Sequence, residues 1–110
     1  MADDLRVVMT TFPGREPAEA AARLLVDAGL AVCAQVGADL VSFYRWQGTL
    51  ERAEEVAVVF KVLPARYELF VGELKLQHPF DVPQVVAWSA DHVDAAYLAW
   101  ARDESGAPDA

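Results

Sequence analysis

The chain has 110 residues, 55% of them apolar, and a formal net charge of −8 from 17 acidic and 9 basic side chains. That length holds one hydrophobic core, not two. A surface this acidic is a poor partner for phosphate backbones or anionic lipid, so nucleic-acid and membrane-surface roles are excluded. No apolar run approaches the length of a bilayer span. The start, Met1-Ala2-Asp3-Asp4, carries neither a basic region nor an apolar stretch, so a cytoplasmic address is expected. Cys33 is the single cysteine, and no internal disulfide can form.

Residues 5–11 are rich in strand formers and end at Pro13-Gly14, a turn signal. A helix follows, with Pro17 in its first turn and Gly29 where it ends. Ala18, Ala21, Ala22 and Leu25 repeat at helical spacing between them, and the small alanines let this helix lie close to a sheet. Residues 30–36 read as a strand, which Gly37-Ala38-Asp39 interrupts as a bulge or bend before it resumes over 41–46. Gln47-Gly48-Thr49 is a tight turn, and residues 50–62 run back as a third strand. This hairpin is too long for a domain of this size to cover. Its second arm is apolar without alternation from Val56 to Phe60, which predicts burial on both faces, one by helices and one by a subunit interface.

Pro64 opens a second helix with Tyr67, Phe70, Val71 and Leu74 as its apolar stripe, and Leu63 leaves its start without a side-chain cap. His78-Pro79 ends it. Residues 84–89 form a short fourth strand, and residues 93–102 a third helix packed through Val93, Tyr97 and Trp100. The tail, 103–110, is polar and expected to be disordered. The order β-α-β-β-α-β plus a C-terminal helix is an α+β, ferredoxin-like split βαβ domain. It has an antiparallel sheet with helices on one face, and its core spans about residues 5–102. Apolar residues on the bare face argue for cover by other subunits.

Chemistry-bearing residues are sparse. The soft or borderline ligands are Cys33, His78, His92, Met9 and Met1, and none stands at metal-site spacing. Cys33 reads as a small buried hydrophobe. His78 serves either the last carbonyls of its helix or a site with Asp81 nearby. Nucleophilic chemistry would need Cys33 or a serine, with His78 as base and Asp81 to orient it, and spacing alone does not bring these together. Lys61 either snorkels to solvent or points an ammonium into a cleft. Lys61 and His78 bracket the second helix, about 25 Å apart if it is regular, so they share a cleft only across a subunit boundary. Tyr44-Arg45-Trp46-Gln47-Gly48 concentrates aromatics and a cation at the hairpin tip, as cross-strand packing or the wall of an intersubunit pocket.

Six segments in this order resemble the CutA family of divalent-cation tolerance proteins. They are Val-Met-Thr-Thr-Phe-Pro near the start, Leu-Ala-Val-Cys-Ala-Gln at 30–35, Tyr-Arg-Trp-Gln-Gly at 44–48, Phe-Lys-Val-Leu-Pro-Ala-Arg-Tyr at 60–67, His-Pro-Phe-Asp-Val-Pro-Gln at 78–84 and Ala-Tyr-Leu-Ala-Trp at 96–100. The resemblance implies a single CutA-like domain over 1–110, a homotrimer, and a role in tolerance of divalent metals, with copper or another divalent cation as ligand. A binding protein rather than an enzyme is expected. The resemblance carries Cys33 and His78 over as metal residues and Lys61, Trp46 and Gln84 as ligand-binding residues. In relatives with proposed copper ligands, a cysteine stands at Thr10 and a histidine at Gln77, and the family usually has Glu at Gln84 and Tyr at Phe80. These departures weaken the copper reading. The alternative is a trimeric regulator or adaptor of the PII type, which shares the fold and binds a small anion or a partner protein between subunits.

Overall fold

The computed structural model describes residues 5–105. Four strands and three helices alternate as expected. They are β1 (Arg6–Phe12), α1 (Arg15–Asp27), β2 (Cys33–Trp46), β3 (Thr49–Val62), α2 (Tyr67–Gln77), β4 (Val86–Ser89) and α3 (Ala95–Ser105). The sheet order is β2-β3-β1-β4 with every neighbouring pair antiparallel, the split βαβ arrangement read from the sequence.

Local chemistry explains the boundaries. Gly29 ends α1 at φ +75°, with its N–H on the Val26 carbonyl and the Leu30 N–H on the Leu25 carbonyl, a pairing that closes the last turn. Strand β2 begins only at Cys33, because residues 30–32 are still leaving that cap. Its register slips between Val36 and Asp39, where the glycine-containing bulge was expected. Arg15 braces the slip by donating to the Gly37 carbonyl at 3.1 Å and to Asp39 at 3.2 Å. At the hairpin tip Gln47 and Gly48 both take positive φ, 51° and 84°, the turn that matches the twist of two paired strands. Pro64 starts a single 3₁₀ turn, Pro64–Arg66, before α2, and Leu63 leaves it without a side-chain cap.

The core lies between one sheet face and the helices α1 and α2. Val8, Thr10, Phe12, Val56, Val58, Phe60 and Val62 turn inward from the strands and meet Ala18, Ala21, Ala22 and Leu25 of α1 and Phe70 and Leu74 of α2. Phe60 and Phe70 meet edge to face at 4.9 Å. Burying a side chain of that size contributes about 1.5–3 kcal/mol. A second, smaller cluster of Leu5, Val32, Leu63, Leu98 and Ala101 seats α3 at the end of the sheet.

Several expectations change here. Helix α3 does not pack through Tyr97 and Trp100, which are exposed; Leu98 and Ala101 turn inward instead. Asp94 caps that helix by accepting from the Ala96 and Tyr97 amides, so its start moves from residue 93 to Ala95. Residues 103–105 belong to α3 and not to a disordered tail, while 106–110 lie outside the described residues. The other sheet face carries Val7, Met9, Ala57, Val59, Val86 and Trp88, the alternate positions of the same strands. Within one chain they are only half-buried or exposed, with Val86 and Trp88 about half exposed. Val56 to Phe60 is therefore sealed on one face and partly covered on the other. The hairpin arm also projects, giving extents of 46 × 26 × 23 Å and leaving Phe43 and Leu50 about two-thirds exposed.

Candidate functional site

A cleft of about 650 Å³ opens where the hairpin arm leaves the body of the sheet. The arm supplies Ser42, Phe43, Tyr44, Trp46 and Glu55. Thr11 comes from the end of β1, and the 79–84 segment supplies Pro79, Phe80, Asp81, Val82 and Gln84. The register slip in β2 sets this up. It places Leu40 opposite Glu55 and brings Ser42 beside it on the same face. Ser42 donates to the Glu55 carboxylate at 2.6 Å, and Glu55 is only 8% exposed.

His78 holds the opposite wall. It is buried and stacks on Phe12 with ring centroids 4.3 Å apart. Its Nε2 lies 2.8 Å from the Thr11 carbonyl, which can only accept, and its Nδ1 receives the Phe80 amide N–H at 3.2 Å. The two partners fix a neutral ring with the proton on Nε2. Burial pushes its pKa below the usual histidine value. The Thr11 hydrogen bond and the negative charge of Glu55 oppose that shift without overcoming it. His78 is thus the peg that ties the 79–84 segment to β1.

The sequence-predicted site residues divide into two groups. Trp46 and Gln84 line the cleft, and His78 anchors its wall. Cys33 and Lys61 stand elsewhere. They pair across β2 and β3, and Lys61 lies opposite Val7, near the start of β1, whereas His78 bonds Thr11 near its end. Lys61 donates to Gln35 at 2.7 Å, and the Cys33 thiol lies 3.2 Å from the Tyr97 hydroxyl. That contact with Cys33, with burial second, raises the Tyr97 pKa to about 12. A single chain therefore does not build the Lys61–His78 cleft, and Cys33 has no histidine beside it to act as base.

The copper arrangement does not fit either. Both ring nitrogens of His78 are engaged, so neither lone pair is free for a metal. Thr10 turns into the core, and Gln77 donates to Glu73 on the outside of α2. Among the described residues, no three of His, Cys, Asp and Glu gather closely enough to hold an ion. Glu55 and Ser42 were not singled out from the sequence. The Glu54-Glu55 pair ahead of an apolar run was the available signal, and the bulge in β2 decides which of that strand's residues, here Ser42, stands beside Glu55.

Comparison with known proteins covers nearly the whole chain. The family described as CutA1 divalent ion tolerance protein matches residues 6–104. A divalent-cation tolerance protein CutA of Thermus thermophilus is 33% identical over 100 residues, spanning 91% of this chain and 97% of that one. The crystal structure of CutA1 from the psychrotrophic bacterium Shewanella sp. SIB1 superposes with a TM-score of 0.90 at 28% identity, covering 99% of this chain and 100% of that one. A protein of Archaeoglobus fulgidus described as periplasmic divalent cation tolerance protein CutA superposes at 0.87 with 26% identity, over 92% and 98% of the two chains.

Proposed function

The chain belongs to the CutA1 divalent ion tolerance family and serves in tolerance of divalent metal ions, and we propose that it does so as a homotrimeric, non-enzymatic binding protein. The observation that carries the trimer is the second face of the sheet. Val7, Met9, Val59, Val86 and Trp88 form an apolar surface that one chain leaves half open, and the aromatic hairpin arm reaches beyond the body. Contiguous apolar surface of this kind marks a subunit contact. Three copies can close it in a ring of identical head-to-tail contacts.

The non-enzymatic reading rests on the separation of Cys33 from His78 and on the engagement of both His78 nitrogens. Any copper binding by one chain is weak, because isolated donors lack converging geometry. The small-anion alternative gains no support from the cleft, whose lining carries Glu55 and Asp81 and no basic side chain. We place the protein in the cytoplasm, which cell fractionation checks directly, since one relative is described as periplasmic. No helix among the described residues is long and apolar enough to cross a membrane. Sedimentation equilibrium at micromolar concentration should give three times the 12.0 kDa chain mass. A stable folded monomer overturns the trimer. Growth of a deletion strain in excess copper, zinc or cobalt tests the role, and unchanged sensitivity to all three refutes it.

A further inference from the structure

We propose that Glu55 of one subunit pairs with Lys61 of the neighbouring subunit, so that three such ion pairs set the head-to-tail direction of the trimer. The inference rests on the trimeric reading. Alternation along β3 puts Glu55, Ala57, Val59 and Lys61 on one face, the face that neighbouring subunits cover. Glu55 is 8% exposed even within one chain, and its described contact is a single hydroxyl, from Ser42, on one oxygen. Lys61 is half-buried and donates to Gln35 at 2.7 Å, and its ammonium has further N–H groups to give. No described salt bridge engages either side chain. The two stand six positions apart on one strand, about 20 Å, so they do not meet within a chain. Once neighbours seal the face, each charge is withdrawn from water, and a buried charge without a partner is strongly destabilising.

Which cation reaches Glu55 follows from the strand pattern. The residues lining the cleft beside Glu55 include no lysine, arginine or histidine, so its counter-charge comes from another chain. Arg45 and Arg52 lie at the alternate positions of the hairpin arm, on its opposite face. In the body of the sheet, the covered face presents Val7, Met9, Val59, Val86 and Trp88, and Lys61 is the cation among them. That face is therefore apolar in the middle, acidic toward the hairpin and basic toward the far end of β3. A ring of heterologous contacts brings two different patches of neighbouring chains together, so an acidic end meets a basic one at every contact. Docking like end on like end sets Glu55 against Glu55 or Lys61 against Lys61, which is repulsive. The apolar middle supplies the attraction, and the ion pair gives it a direction.

Charge reversal tests the pair, read as the rate of subunit exchange between two differently labelled populations of the full chain. Sedimentation and circular dichroism are measured on the same samples. Glu55→Lys and Lys61→Glu should each speed exchange by about tenfold or more, or give folded monomers, because like charges then face each other. The double variant Glu55→Lys/Lys61→Glu should return to within about threefold of wild type. That rescue is intermolecular, since the two positions are too far apart to pair within a chain. If a reversal does not fold, Glu55→Gln, Lys61→Gln and their double variant decide the question. Their effects on the exchange rate combine less than multiplicatively when the two groups touch. Reversals that leave exchange unchanged, a double reversal no better than the singles, or neutral variants whose effects multiply overturn the pair and leave the trimer standing. A wild-type chain that sediments as a folded monomer overturns the trimer and the pair with it.

Discussion

Replacing His78 by phenylalanine tests the account of the cleft wall most directly. The substitution keeps a flat ring to stack on Phe12 and removes both nitrogens, so the Thr11 carbonyl and the Phe80 amide lose their partners. A buried backbone group left unpaired costs about 1–3 kcal/mol. Because Phe80 and its neighbours can open to water, the sum for the two should fall near 2–4 kcal/mol, a large part of the stability of a domain this size. Urea unfolding at matched protomer concentration is the assay, since assembly makes the midpoint concentration-dependent. His78→Gln, whose amide can still donate or accept, should fall between wild type and His78→Phe. If His78→Phe lies within about 0.5 kcal/mol of wild type, the two hydrogen bonds do not hold the wall and the reasoning fails. The same variant bears on metal. With no free lone pair on His78, copper affinity should be equally weak, no tighter than about micromolar, in wild type and variant. Nanomolar binding lost on substitution would show that the ring turns to serve a metal.

Thr10 is fully buried with its hydroxyl unpartnered, so Thr10→Val should stabilise the fold by about 1 kcal/mol in the same assay. A loss would mean that the hydroxyl is bonded. Acid sensitivity follows from the lowered pKa of His78. Above pH 6.5 the ring is neutral in both states and contributes no pH dependence. As pH falls below 6.5 the unfolded chain takes up its proton first, and stability drops until the lower folded pKa is passed. The pH 5–7 slope of stability should therefore shrink in His78→Phe, and an unchanged slope would assign it to other groups. Val59→Asp places a charge on the half-open face and should dissociate the assembly into folded chains, read by sedimentation and circular dichroism together. Val58→Asp strikes the interior and should unfold the chain itself, so identical behaviour of the two variants would contradict the face assignment.

The strand and helix order was legible in the sequence because each boundary rests on short-range chemistry. Gly29 ends α1 through its positive φ, Gln47-Gly48 turns the hairpin, and the alanine stripe of α1 fixes the face that meets the sheet. The residues of the wall were partly legible, since His78 before Pro79 and the Trp46 arm stand out in the chain. Their partners did not. Tyr97 and Trp100 looked like the inner stripe of α3, yet apolar spacing alone does not tell a face packed within the chain from one left open, and it is Leu98 and Ala101 that pack with Leu5, Val32 and Leu63. Lys61 and His78 bracket α2 in sequence and stand at opposite ends of β1 in space. Alternation from the inward-facing Val56 puts Glu55 on the other sheet face, but that Ser42 stands beside it was not legible, because the slip between Val36 and Asp39 sets which β2 residues share that face. Backbone preferences act over a few residues and can be read along the chain. A register shift reverses the facing of every later residue in a strand, and only the paired strands decide where it falls.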